Sequence, residues 1–144
     1  MQIPARLRRL VVERAGQRCE YCGLAQEGQE ATFHIDHVVP VVAGGETTLD
    51  NLALACVSCS LRKGARQRAA DPHDGSEVEL FNPRRDPWTK HFAWNGTEVI
   101  AQTPTGRCTI AALQLNRTAV RAIRLEELLR GRHPPPRASD RASS

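Results

Sequence analysis

The chain has 144 residues, of which 40% are hydrophobic and 25% are charged, which suits one globular domain with small appendages. Its 20 Lys and Arg residues against 16 Asp and Glu residues give a mildly basic balance, which permits a polyanionic partner but does not require one. No apolar run is long enough to cross a bilayer, and the N-terminal segment does not resemble a secretory signal, so we expect a cytoplasmic protein without a membrane partner.

The first predicted element is a helix near the N-terminus. Apolar residues recur there at helical spacing, at Ile3, Leu7, Leu10 and Val11. Arginines lie between these positions, which predicts an amphipathic helix, and Gly16 predicts its end.

The middle of the chain predicts a β-hairpin followed by a helix. Residues 31–39, ATFHIDHVV, are rich in β-branched and aromatic residues and stop at Pro40, which is typical of a strand. A loop with a Gly-Gly pair separates them from residues 51–56, NLALAC, which predict a second, short apolar strand. Residues 60–70, SLRKGARQRAA, then predict a short helix that carries basic side chains.

Two C-x2-C cysteine pairs bracket this hairpin, Cys19 with Cys22 and Cys56 with Cys59. Each pair presents two thiolates to a tetrahedral zinc ion, so we expect one structural Zn2+ that clamps both ends of the segment between the pairs. The alternative is redox chemistry or free surface thiols, which does not explain why a second matching pair is present. Cys108 stands apart from these pairs.

Four motifs, HIDHVVP, Gly-Gly, LDNLALAC and CSLRKGAR, follow one another between the cysteine pairs and just after them. Together they resemble the HNH endonuclease family, the ββα-metal nucleases, in the subgroup with a two-knuckle zinc site. The resemblance implies an α+β fold in which a ββα finger is clamped by the zinc site. It also implies that His37 is the general base, that Asp36 is a ligand of a catalytic divalent metal, and that Asn51 braces the loop behind the histidine.

The chemistry of phosphodiester hydrolysis needs what His37 and Asp36 offer. A base must deprotonate water, and an unperturbed histidine, with a pKa of about 6.5, has a neutral fraction near pH 7. A cation must offset negative charge on the phosphate, and a carboxylate is a hard oxygen ligand of the kind that Mg2+ or Mn2+ prefers. Because neighbouring residues of a strand point to opposite faces, both serve one site only where the strand ends or twists.

The sequence departs from the family pattern at Ser60, where the family usually has an asparagine or histidine that binds the catalytic metal. A serine hydroxyl is a weaker ligand, and the alternative interpretation of Ser60 is a helix N-cap. His34 lies on the same face of the predicted strand as Asp36 and is the nearest candidate to complete the metal site, or else it orients Asp36. We therefore expect a loosely held metal, with activity that needs high magnesium or prefers manganese.

A run of basic residues follows the second cysteine pair, at Arg62, Lys63, Arg66 and Arg68. In isolation such a run is as typical of a solvated helix face as of a binding surface. Because it directly follows the candidate active site, we expect Arg62, Lys63 and Arg66 to bind the phosphate backbone of a nucleic acid, with DNA as the favoured substrate. Phosphate contacts of this kind predict salt-sensitive, weakly specific binding.

The rest of the chain predicts a small α/β extension on the C-terminal side. We expect a nuclease core over residues 1–70, an extension that packs on it over residues 71–132, and a disordered, proline- and serine-rich tail over residues 133–144. The extension contains a predicted hairpin and two helices and resembles that of many bacterial members of the family. Its aromatic residues are predicted to lie in the core, with stacking on bases as the alternative; they are Trp88, Phe92 and Trp94.

Three classes of function are compatible with these features. The leading hypothesis is a metal-dependent endonuclease with a structural zinc ion and a catalytic Mg2+ or Mn2+ ion. The second is a zinc-stabilised nucleic-acid-binding module that derives from such a nuclease and cuts weakly or not at all. The third, a redox-active dithiol protein, is the most distant. The sequence leaves the oligomeric state open.

Overall fold

A computed structural model describes residues 3–136 of the chain. Its helices are α1 (Ala5–Arg14), α2 (Val57–Lys63), α3 (Trp88–His91), α4 (Pro104–Leu113) and α5 (Thr118–Leu129). Its strands are β1 (His34–His37), β2 (Leu52–Ala55), β3 (Arg68–Ala70), β4 (Glu77–Glu79), β5 (Phe92–Asn95) and β6 (Glu98–Ala101). They pair in chain order as antiparallel hairpins, β1 with β2, β3 with β4 and β5 with β6. The predicted α+β class is confirmed, and no helix in this part of the chain has the length and apolar content that a bilayer span requires.

The β1–β2 hairpin and α2 form a ββα unit. The strands are in register from His34 opposite Ala55 to His37 opposite Leu52. Every residue of β2 is buried, because this short apolar strand contacts α1 and α2 as well as β1. β1 is shorter than the predicted strand at both ends, where backbone N–H groups donate to side chains: that of Phe33 to Gln26 Oε1 and that of Val39 to Asn51 Oδ1.

The helix α2 begins and ends earlier than the helix predicted from the basic run. The sulfur of Cys56 accepts a hydrogen bond from the N–H of Cys59 and so caps the N-terminus. The helix ends before Gly64, whose φ of 53° lies in the left-handed region. Arg66 therefore lies outside the helix, and Arg68 belongs to β3.

The predicted N-terminal helix is confirmed as α1. It packs on β2 and on a 3-10 turn at Leu49–Asn51. The guanidinium of Arg14, in its last turn, donates hydrogen bonds to the carbonyl oxygens of Leu49 and Leu52. These carbonyls flank Asn51, so α1 holds the loop end of the hairpin in place.

The hydrophobic core is shared by the ββα unit and the C-terminal part of the chain. Buried apolar residues of both parts belong to one cluster. The ring of Tyr21, from the first cysteine pair, meets Phe81 edge-on at 6.1 Å, and Phe81 meets Phe92 in the same way at 5.3 Å. Helix α4 of the C-terminal part also contacts α2. The C-terminal elements thus pack on the ββα unit.

The two tryptophans are engaged inside the fold. The indole nitrogen of Trp88 donates to the carbonyl of Tyr21 at 3.0 Å, and its ring stacks on Trp94 at 4.9 Å. Phe92 is buried beside them. Phe92 therefore belongs to the core as predicted, whereas Trp88 and Trp94 are half-buried, and the choice between core packing and base stacking stays a prediction for them.

The predicted disordered tail begins at His133, and residues 137–144 of it lie outside the described residues. His133 itself is buried, its Nε2 lies 2.9 Å from the carbonyl oxygen of Gly96, and its ring meets Trp94 edge-on at 4.6 Å. The packed core therefore extends to this residue.

Candidate functional site

The four paired cysteines converge on one point. All four are buried, and their sulfur atoms lie within 4.8 Å of one another. The sulfurs of Cys22 and Cys56 are 3.7 Å apart. A tetrahedron with Zn–S bonds of about 2.3 Å has sulfurs separated by about 3.8 Å, which matches the distance between Cys22 and Cys56, so the four sulfurs are suited to hold one zinc ion.

The two cysteine pairs have the same local geometry. In each pair the backbone N–H of the second cysteine donates to the sulfur of the first. The N–S distance is 3.4 Å from Cys22 to Cys19 and also 3.4 Å from Cys59 to Cys56. Burial raises the pKa of Cys19, whereas hydrogen bonds from the other thiols, that of Cys19 foremost, lower the pKa of Cys56. Four buried thiols so close together suit a divalent cation, because a metal-bound thiol loses its proton.

Arg124 lies beside this cluster and is 1% exposed. Its guanidinium donates to the carbonyl oxygens of Cys22 at 3.2 Å and Thr97 at 2.9 Å, and it lies 5.0 Å over the Trp94 ring. Burial lowers its pKa, and the cysteines, Cys22 foremost, oppose that shift. Within residues 3–136 it has no carboxylate partner, and its Nε makes no hydrogen bond. A zinc ion with four thiolates carries a net charge of about −2, which this cation would offset.

Asp36 lies in β1 and is only 8% exposed. Its Oδ2 accepts a hydrogen bond from the Tyr21 hydroxyl at 2.9 Å and lies 3.2 Å from the ammonium of Lys63. Burial raises the pKa of Asp36, and Lys63 opposes that rise. Its other oxygen, Oδ1, has no hydrogen-bond partner in the described part of the chain.

His37 follows Asp36 and is half-buried. Its Nε2 lies 2.9 Å from the hydroxyl of Thr47, in the loop between the strands. Its Nδ1 has no hydrogen-bond partner among residues 3–136. When Nε2 carries the ring proton and donates it to Thr47, Nδ1 has a free lone pair.

Asn51 fixes the loop that follows His37. Its amide exchanges two hydrogen bonds of 2.9 Å with the backbone N–H and C=O of Val39 and donates a third, also of 2.9 Å, to the carbonyl of Glu46. Gly45 is needed in the same loop, because a Cβ there would lie 1.8 Å from the carbonyl oxygen of Val39. The contacts of Asn51 are those of a brace, as the resemblance implies.

His34 and Ser60 contact each other across β1 and α2. The Nδ1 of His34 lies 2.9 Å from the hydroxyl oxygen of Ser60. Ser60 lies inside α2, whose N-cap is Cys56, so the interpretation of Ser60 as a helix cap is wrong. His34 and Asp36 lie two residues apart in β1 and thus on the same face of the hairpin.

The basic run does not form one exposed surface. Arg62 and Arg66 are exposed, and Arg66 donates to the carbonyls of Arg62 and Ala112. Lys63 is 2% exposed and faces Asp36. Arg68 is exposed and lies 3.8 Å from carboxylate oxygens of two glutamates, Glu77 and Glu79.

The structure adds four residues that the sequence reasoning did not assign to these roles: Tyr21 and Lys63 at Asp36, Thr47 at His37, and Arg124 at the cysteine cluster. A signal existed for Lys63, which follows the buried Cys59 by four residues and so shares its face of α2. No local pattern marks the other three, because their partners are distant in sequence.

Comparison with known families identifies the region that contains these sites. Residues 19–66 match the family described as HNH endonuclease. No match was found among curated proteins or solved structures. The chain therefore contains an HNH endonuclease domain, and the four-cysteine cluster lies inside it.

Proposed function

We propose that the HNH endonuclease domain of residues 19–66 makes this chain a metal-dependent nuclease that hydrolyses phosphodiester bonds, with DNA as the favoured substrate. One arrangement carries this proposal. At the end of β1 a histidine with an open ring nitrogen, His37, directly follows a carboxylate with an open oxygen, Asp36. A base and a cation ligand in adjacent positions are what hydrolysis of a phosphodiester requires.

His37 acts as the general base through Nδ1. Donation of the Nε2 proton to Thr47 fixes the tautomer and the ring orientation and leaves Nδ1 to accept a proton from the attacking water. Asn51 contributes to the position of His37 indirectly. Its amide holds the backbone of Val39, two residues after His37, and so fixes the segment that follows the histidine.

Asp36 fits a catalytic Mg2+ or Mn2+ as a single carboxylate ligand. The hard oxygen Oδ1 has no hydrogen-bond partner in the described part of the chain, and either Ser60 in α2 or His34 on the same face of β1 would complete the protein ligands. Within residues 3–136 the cysteines are the only group of three or more His, Cys, Asp or Glu donors within reach of one ion. Water and substrate phosphate would therefore supply most of the ligands. The bound cation would offset negative charge on the phosphate and on the leaving oxygen.

The cysteine cluster holds a structural Zn2+ ion in this proposal. Four buried protein sulfurs close the coordination sphere, so no position is open for substrate. The ion ties Cys19 and Cys22, before the hairpin, to Cys56 and Cys59 at the start of α2. Such a site needs reduced thiols, which suits the cytoplasm.

Arg62 and Arg66 are our candidates for phosphate contacts, because both are exposed and lie at the end of α2 or just after it. Lys63 is buried and Arg68 is close to two glutamates, so neither is assigned to this surface. Two phosphate contacts give modest, salt-sensitive affinity without a choice of sequence.

A second candidate function is a binding module that does not cut. Two observations favour it: the ion pair between Asp36 and Lys63, and a serine at position 60, whose hydroxyl is a weaker metal ligand than an asparagine amide. Both would weaken metal binding at the candidate active site.

Incubation of the zinc-loaded protein with supercoiled plasmid distinguishes the two functions. With Mg2+ or Mn2+ we expect conversion to open-circular and then linear DNA, and with EDTA we expect none. A protein that shifts the mobility of the DNA but leaves it intact with every metal would be a binding module.

A further inference from the structure

Lys63 is a buried cation on the carboxylate that we assign to the catalytic metal. It is 2% exposed, and its ammonium lies 3.2 Å from Asp36 Oδ2 and 3.2 Å from the carbonyl oxygen of His37. Lysine is almost never fully buried unless it is paired. In the described part of the chain its one ion-pair partner is Asp36.

We infer that Lys63 competes electrostatically with the catalytic cation for Asp36 and thereby sets the concentration of divalent metal that the protein needs. This inference rests on the proposed role of Asp36 as a metal ligand. It assigns to Lys63 a role other than the phosphate contact expected from the basic run.

The competition follows from charge. A divalent ion bound to the carboxylate of Asp36 would be separated from the Lys63 ammonium by no more than that small group and one contact on each side. At that separation the repulsion of a +2 and a +1 charge is large in a buried site, where few waters screen it. Lys63 thus lowers metal affinity whether it remains in place or must move away.

The same contacts explain how the site remains folded without metal. A buried carboxylate without a partner is costly, and Lys63, together with the Tyr21 hydroxyl, satisfies Asp36 when no divalent ion is bound. The bond to the His37 carbonyl gives the ammonium a second anchor, so Lys63 remains held when the carboxylate is shared.

A purely structural ion pair is the alternative role for Lys63. It would join β1 to α2 and stabilise the fold, and its removal would lower the melting temperature without raising metal affinity. The two roles are therefore separated by a measurement of metal binding.

The test is Mn2+ binding to the zinc-loaded full chain, measured as loss of the free-ion electron paramagnetic resonance signal without DNA. Four proteins are compared: wild type, Lys63→Met, Lys63→Arg and the double variant Asp36→Asn with Lys63→Met. We expect Lys63→Met to bind Mn2+ about tenfold or more tightly than wild type, because it removes the charge and keeps the length. Lys63→Arg keeps the charge and is expected to bind as wild type does, and the double variant is expected to lose the site.

A second readout uses thermal stability. Mn2+ is expected to raise the melting temperature of Lys63→Met more than that of wild type, since the ion then satisfies a carboxylate that has lost its partner. Should Lys63→Met fail to fold, Lys63→Gln retains a donor for the His37 carbonyl and takes its place. The inference would be overturned if the variant without the charge, Lys63→Met or Lys63→Gln, bound Mn2+ no more tightly than wild type. This experiment measures metal binding and not cleavage. A failure of the proposed nuclease activity would therefore show only in the plasmid assay and would not be confused with a failure of this inference.

Discussion

The cysteine cluster and the Asp36 centre lie within one small hairpin unit, yet they relate to metal in opposite ways. At the cluster, four identical soft donors converge within 4.8 Å of one another, which suits one zinc ion. At the other centre a single carboxylate is shared by a tyrosine and a lysine, and the nearby donors, His34 and Ser60, bind each other.

The difference also extends to the neighbouring cation. Arg124 lies beside a cluster that would carry a net charge of about −2 with zinc bound to four thiolates, so its positive charge would favour the metal-bound state. Lys63 lies on the carboxylate itself, so its charge opposes a metal there. In our proposal a buried cation therefore stabilises the structural zinc site, and another buried cation weakens the catalytic metal site. A permanent structural ion needs the first arrangement, and an ion that is exchanged during the reaction needs the second.

Removal of one zinc ligand is expected to have the largest effect. Structural zinc contributes about 10–16 kcal/mol in zinc-finger peptides, which is comparable with the whole stability of a domain. Cys56→Ser should therefore lose zinc and cooperative unfolding, as measured by elemental analysis and thermal denaturation. Cys108→Ser is the matched control, because Cys108 is equally buried but lies outside the cluster. Retention of zinc and of the wild-type melting temperature by Cys56→Ser would contradict the zinc assignment.

Removal of the cation beside the cluster is expected to have the next largest effect. Arg124→Met should destabilise the protein by about 3 kcal/mol and speed the loss of zinc to a chelator, because it leaves a buried negative centre without its counter-charge. Arg121→Met, three residues earlier on α5, removes an exposed arginine whose side chain hydrogen-bonds, among residues 3–136, only to Thr97 Oγ1 at 3.3 Å, and should cost less than about 0.5 kcal/mol. Equal rates of zinc loss from the two variants would show that the charge of Arg124 does not act on the cluster.

A change at Ser60 is expected to have a smaller effect, and only on the weak site. Ser60→Asn introduces an amide oxygen next to His34 and should lower the Mg2+ concentration for half-maximal cleavage by roughly fivefold. Ser60→Ala should raise that concentration, while zinc content stays at the wild-type level in both. A higher Mg2+ requirement for the asparagine variant would place Ser60 outside the metal site.

The sequence predicts the parts of this molecule in which spacing alone determines geometry. Two C-x2-C pairs predict the cluster, and the HIDHVVP and NLALAC segments predict the hairpin that brings His37 and Asp36 to the end of one strand. The predicted start of the helix at residue 60 is wrong, because the sulfur of Cys56 caps the helix and α2 begins at Val57.

The charges beside the two centres could not be predicted in the same way. Arg124 reaches Cys22 across 102 residues of sequence, and no local pattern carries that contact. The spacing from Cys59 indicates that Lys63 lies on the buried face of α2, but no local pattern indicates that its partner there is Asp36, which comes from β1. Such tertiary contacts override the local pattern.

The most direct test of the nuclease proposal is the rate of plasmid cleavage by His37→Ala, compared with wild type and with His73→Ala, which removes an exposed histidine outside the HNH domain. All three proteins should retain zinc and melt at similar temperatures. We expect His37→Ala to cleave at least about a hundredfold more slowly, because general-base catalysis contributes about that much or more, and His73→Ala to cleave at the wild-type rate. Wild-type cleavage by folded His37→Ala would contradict the proposed active site.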